Sequence, residues 1–175
     1  MMPTHGFGPI RRFLLGSVTA KVLHDVPRPV WTGDQLAQRP PREWLAPGHL
    51  VCSLDLGPTA HPRCDGRTIL AAADNSELKI LHVVEQLDPT SSETYYARGW
   101  RRESIDKASE ALALLQQNEG THWELVIEPG NIAEAIATAA VRLDADLIII
   151  GRRGTSERPL GTHAYEIIRR SPRPW

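Results

Sequence analysis

The sequence predicts an α/β fold, an open parallel sheet with helices on both faces, and three observations carry that prediction. Strand-like and helix-like stretches alternate from residue 50 onward. The run "DLIII" at 146–150 is the most apolar of the strand-like stretches, and residues 132–140 carry apolar side chains every three or four positions. Strands this apolar must be covered on both faces, which calls for a parallel sheet between two layers of helices.

The elements follow in chain order. Residues 34–49, "DQLAQRPPREWLAPGH", hold Pro40, Pro41 and Pro47 and show neither the helical nor the strand period, so they read as a linker pinned by Trp44. The run "LVCSLDLGP" then opens the folded unit as a buried strand that ends at Asp55, ahead of Gly57 and Pro58. "RTILAAADN" is the weakest element, a helix kept short by Gly66 and the turn-like "HPRCDG" before it. "LKILHVV" (78–84) is a β-branched strand, and within residues 86–103, which fit neither period, "LDPTSSETYYARGW" (87–100) reads as a loop before the long helix. Residues 104–118 place Ile105, Ala108, Leu112 and Leu115 on one helical face, and "WELVI" (123–127) is a further strand. Asn131 is the expected N-cap of a helix carrying Ile132, Ala135, Ile136, Ala139 and Ala140. After "DLIII", Gly161 and Thr162 begin the last helix.

Composition bounds the function. With 175 residues the chain has room for one domain and an appendage. A formal net charge of −1 supplies no basic field for nucleic acid. Arginines cluster only locally, at Arg152 and Arg153 and at Arg169, Arg170 and Arg173. Two cysteines, Cys52 in a buried strand and Cys64 in a turn, fit a reducing compartment. With no apolar run of about 18 residues and no secretory pattern at the start, the expectation is a cytoplasmic protein without a membrane partner. The seven histidines show no metal-ligand spacing, and His24, His82 and His163 read as structural or solvent-facing.

An internal repeat divides the chain. Leu15, Gly16, Pro27, Arg28 and Pro29 recur as Leu160, Gly161, Pro172, Arg173 and Pro174, from position 15 to position 160 and so at a shift of 145. Ser17 falls on Thr162, while Val22 and Leu23 fall on Ile167 and Ile168. The spacing is that of about one domain. Residues 1–33 therefore read as the end of one unit, 34–49 as the linker, and 50–175 as most of a second unit.

In an open parallel sheet, ligands gather at the carboxyl ends of the strands, where helix N-termini direct free N–H groups outward. Asp55 ends the first strand, and "GRRG" follows Ile150. Gly151 and Gly154 let backbone approach an anion, and Gly161 and Thr162 offer N–H groups and a hydroxyl to phosphate. The plain alternative is that the glycines only make the turn and Thr162 only caps its helix.

The alternation, the aspartate after the first strand, "LHVV" in the second, and a glycine pair followed by Gly-Ser or Gly-Thr together resemble the universal stress protein family. The resemblance covers residues 50–174 as a unit and residues 2–33 as the tail of a preceding one. It implies a Rossmann-like fold that binds an adenine nucleotide, ATP with magnesium, in stress response. Asp55 and Val83 would face the adenosine, and Gly151, Gly154, Gly161 and Thr162 the phosphates. The family spacing is Gly, two residues, Gly, nine residues, then Gly-Ser or Gly-Thr. Gly6 and Gly16-Ser17 match its second half, with Pro3 where the first glycine would stand. In the second unit six residues separate Gly154 from Gly161; keeping nine would run from Gly151 to Gly161 and put Ile148 in the other glycine's place. The first alignment is preferred, because loops shorten more readily than buried strands.

The family closes with a fifth strand after Pro-x-Pro, where this sequence stops at Trp175. "PRPVWTG" retains such a strand, so residues 28–33 are expected along an exposed sheet edge, beside 146–150 or in the second copy of a homodimer paired through edge strands. No catalytic residue is assigned. There is no G-x-x-x-x-G-K-[ST] loop, S-G-G-x-D-S loop or G-x-S-x-G elbow, no evident general base beside the phosphates, and the G-x-G of "HGFGP" follows no strand. The alternatives to a nucleotide-binding module are a dimerising interaction module or a truncated product with a decayed site.

Overall fold

The computed structural model describes residues 2–3, 17–25, 30, 32–33, 48–56, 76–85, 94–151 and 162–170. Ten elements follow in order: β1 (Met2–Pro3), α1 (Ser17–Asp25), β2 (Thr32–Gly33), β3 (His49–Ser53), β4 (Glu77–Glu85), α2 (Thr94–Glu119), β5 (Glu124–Gly130), α3 (Ile132–Arg142), β6 (Leu147–Ile150) and α4 (Thr162–Arg170). Four strands form one parallel sheet in the order β5-β4-β3-β6.

Alternation along the strands divides the side chains between two cores. Val51, Leu81, Val83 and Ile148 pack against Ala133, Ile136, Ala139 and Ala140 of α3, Ile167 and Ile168 of α4, and Leu23 of α1. On the other face, Leu50, Cys52, Leu54, Leu78, Ile80 and Leu147 pack against Leu112 of α2, with Leu115 partly buried beside it. Helices therefore cover both faces, as the apolar strands require. Cys52, which is in no disulfide, is fully buried within this second core.

Local signals set the boundaries. Asn131 caps α3, its Oδ1 accepting the Glu134 N–H at 3.2 Å. The alanines of α3 let the helix lie close to the sheet, and Ala133, Ile136 and Ala140 are fully buried. Asp144 takes a positive φ of 49° in the turn out of α3, a conformation to which aspartate is better suited than most residues. Gly120, at φ 65°, ends α2 in the usual manner of a helix C-terminus.

Several expectations need adjustment. Helix α2 begins at Thr94, so the second half of the expected loop 87–100 is helical. Its aromatic residues and Gly99 mask a run of good helix formers, including Arg101, Arg102 and Glu103, and Glu103 pairs with Lys107 one turn on at 2.7 Å. Strand β5 runs on through Pro129 and Gly130, which an outer strand tolerates because one of its edges faces no neighbour in the sheet. His49 belongs to β3 and not to the linker. Thr32–Gly33 pairs in parallel with Met2–Pro3 in a two-stranded sheet and does not lie beside 146–150. Val30, just before it, packs against the α3 and α4 core. Helices α1 and α4 have the same length and coincide end to end under the shift of 145. The segments 34–47 and 67–75 lie outside the described residues.

The amino ends of the strands are held by charge. Asp146 accepts the N–H groups of both Gly48 and His49 at 2.9 Å through one oxygen, Oδ2, while its own N–H donates to the His49 carbonyl at 2.9 Å. One carboxylate thus fixes the arrival of β6 against the start of β3. Lys79 reaches Glu124 at 2.7 Å and Glu77 at 2.9 Å, tying three residues across β4 and β5. The hydrogen bond to Glu124, then that to Glu77, holds the Lys79 ammonium above its ordinary range, and the hydrogen bond from Lys79 holds Glu77 below the ordinary carboxylate range.

Asp146→Ala should destabilise the fold by about 2 kcal/mol, with Asp146→Asn milder because it keeps an acceptor, measured by urea unfolding. A second expectation concerns pH. Glu77 is lowered in the folded state, so its contribution is present above the ordinary carboxyl value of 4.5 and is lost as pH falls through the lowered folded value. The unfolding midpoint of Lys79→Met should therefore lie below that of the wild type at pH 7, with the difference shrinking at acid pH below 4.5.

Candidate functional site

The strand order locates the switch point. Successive strands β3, β4 and β5 run outward on one side of β3, and β6 then joins the other side. In an open parallel sheet such a switch point is where ligands bind, outside the carboxyl ends of the two strands, here β3 and β6. Ser53 is registered with Ile150, so the chain leaves both strands at the same level. Asp55 follows two residues after Ser53, and Gly151 directly after Ile150.

Val83 belongs to the same end. Leu81 is the registered partner of Ser53, and Val83 lies two residues beyond Leu81, as Asp55 lies two beyond Ser53. Asp55 and Val83 therefore stand at matching levels on neighbouring strands. Asp55 is exposed, whereas Val83 is 9% exposed and packs into the α3 core. Gly151 is exposed, and a Cβ built on it would meet no atom of the described residues within 4 Å. Thr162 is the first residue of α4. Gly154 and Gly161 lie outside the described residues. The fold thus gathers Asp55, Val83 and Gly151 at one end of the sheet.

The exit of β3 is fixed by a residue that the sequence reading treated as structural or solvent-facing. Leu54 donates its N–H to the Leu81 carbonyl at 2.9 Å, and its own carbonyl accepts from Nδ1 of His82 at 2.8 Å. A carbonyl can only accept, so Nδ1 carries the proton. The one signal for it in the sequence is the histidine of "LHVV" itself, a polar side chain set between apolar neighbours, Leu81 and Val83. His163 is exposed on α4, and His24 has no described side chain. Among the described residues no three His, Cys, Asp or Glu side chains converge to hold a metal ion. No described helix is long and apolar enough to cross a membrane.

Comparison with known proteins agrees with this architecture. No curated protein matches the chain. A solved structure of a functionally unknown protein, PA1789, from Pseudomonas aeruginosa PAO1 is 21% identical with a TM-score of 0.66, covering 99% of this chain and 59% of that one. A universal stress protein from Archaeoglobus fulgidus DSM 4304 is 23% identical with a TM-score of 0.56, covering 91% of this chain and 52% of that one. UspA from Lactobacillus plantarum is 18% identical with a TM-score of 0.60, covering 72% of this chain and 93% of that one. The chain thus spans between half and three fifths of the length of the first two, and at these identities the likeness is one of fold. The model of the universal stress protein family matches residues 55–175, well over half of the chain, and with the parallel sheet and its switch point this shows that the chain belongs to the universal stress protein family.

Proposed function

We propose that this member of the family binds an adenine nucleotide, ATP, at the switch point between β3 and β6 and acts as a stress-response module without a catalysed reaction of its own. The observation that carries the proposal is the meeting of an exposed carboxylate, Asp55, with an open glycine, Gly151, at the level where Ser53 and Ile150 leave the sheet side by side. A carboxylate in that position accepts hydrogen bonds from ribose hydroxyls. Val83, at the matching level of β4, borders the adenosine end. Backbone N–H groups around Gly151 and Gly154, and at Gly161 and Thr162 where α4 begins, suit the phosphates, since a helix N-terminus carries free donors and a partial positive charge.

The open space at Gly151 fits such a ligand, because nothing in the described structure fills it. Magnesium would arrive on the phosphates, where it keeps several waters and needs few protein oxygens. A buried Cys52 outside any disulfide accords with a reducing cytoplasm. Residues 1–33 are the end of a unit equivalent to 50–175 in this reading, supported by the coincidence of α1 with α4 under the shift of 145. The edge strands are the surfaces through which a homodimer would pair.

Calorimetric titration of the full chain with ATP and magnesium should give saturable binding. Asp55→Ala and Thr162→Ala should each weaken it about tenfold, the loss of a hydrogen bond to a charged or polar ligand group. A folded chain that takes up no ATP would contradict the proposal and favour an interaction module.

A further inference from the structure

We propose that His82 is a positioning residue for the adenosine end of this site, holding Asp55 in place from the opposite face of the sheet; the inference rests on the nucleotide reading above. Asp55 is the first exposed residue after β3, and its neighbours decide where it stands. Leu54 has both backbone polar groups satisfied, the N–H by the Leu81 carbonyl at 2.9 Å and the carbonyl by His82 Nδ1 at 2.8 Å. Its side chain is 8% exposed in the α2 core, and Leu56 packs against the same core. Asp55 is therefore bracketed by two anchored leucines, and alternation directs it away from the face that holds them.

His82 occupies the α2 side of β4, between Leu81 and Val83, whose side chains enter the α3 core on the other side. The ring reaches across to β3 at a point where a purely apolar side chain could fill space but could not take the Leu54 carbonyl. Nδ1 is committed as the donor to the Leu54 carbonyl, and Nε2 is the ring nitrogen left outside that bond. One side chain on β4 thus connects the two positions of the adenosine end: it precedes Val83 in the chain and fixes the residue preceding Asp55. An unclamped exit would let Asp55 sample orientations whose ordering the ligand would then have to supply, and affinity falls by the fraction of time spent in the competent one.

The test uses the full chain with His82→Ala and His82→Asn, the second because the asparagine amide nitrogen can stand where Nδ1 stands. Calorimetry with adenosine and with ATP and magnesium is combined with amide hydrogen exchange of the ligand-free proteins. His82→Ala should bind both ligands about tenfold more weakly, leaving the ratio between them unchanged, and the amides of Asp55 and Leu56 should exchange faster while those of Leu50 to Cys52 do not. His82→Asn should recover affinity to within about threefold of the wild type, a rescue that a general packing role would not produce. Undiminished adenosine binding by a folded His82→Ala would overturn the inference. Absence of both adenosine and ATP binding in the wild type would overturn the nucleotide reading, and ATP binding that His82→Ala leaves undiminished would overturn the adenosine role alone; exchange would still report on the clamp, which unchanged exchange at Asp55 and Leu56 would refute.

Discussion

The return of the chain from β5 to the far side of β3 is the constraint on which the rest of the structure depends. Three parallel strands laid side by side would leave β3 as an edge with one face of its hydrogen-bonding groups unpaired. Placing β6 there makes β3 central, and it requires a crossover that passes over β4 and β3. Helix α3 makes that crossing, and its composition suits it: Ala133, Ala139 and Ala140 permit close approach, while Ile136 fills the space against the sheet. Asn131 fixes where the helix starts and Asp146 where the following strand arrives.

Structural and functional demands separate along the strands. At the amino ends the Asp146 carboxylate and the bridge from Lys79 to Glu77 and Glu124 fasten neighbouring strands through charge. At the carboxyl ends β3 and β6 finish level with one another, and an exposed aspartate, Asp55, and an exposed glycine, Gly151, follow them. His82 bridges the two demands, because it stabilises the exit of β3 and by doing so determines where Asp55 can be. A parallel sheet favours this division, since all its strands end on one side and the loops on that side are released from pairing.

Much of the fold was legible because its signals are strong and local. The apolarity of "DLIII" after its aspartate implied burial on both faces, Asn131 announced a helix start, and the shift of 145 read from Leu-Gly and Pro-Arg-Pro is the one that superposes α1 on α4. The early start of α2 was hidden because Tyr95, Tyr96, Gly99 and Trp100 have lower helix propensity than the residues that follow, while a long helix gains its stability cooperatively from the packed turns around Ala108 and Leu112. The partner of Thr32–Gly33 could not be read, because two-residue pairing is set by where the chain can reach and not by any side-chain pattern. For the site, Asp55 and Gly151 were legible as strand-end residues, and their adjacency awaited the strand order. The clamp by His82 was not legible, since nothing local in "LHVV" tells which carbonyl 28 residues away its ring will meet.

The central claim is that one end of the sheet, and not the other, receives the ligand. Backbone amide shifts of the isotopically labelled full chain, recorded as ATP and magnesium are added, would test it most directly. The account predicts changes concentrated at Asp55, Val83, Gly151 and the first turn of α4, with His49, Glu77 and Asp146 at the opposite end unmoved. Changes confined to the amino ends, or spread evenly over the surface, would contradict it.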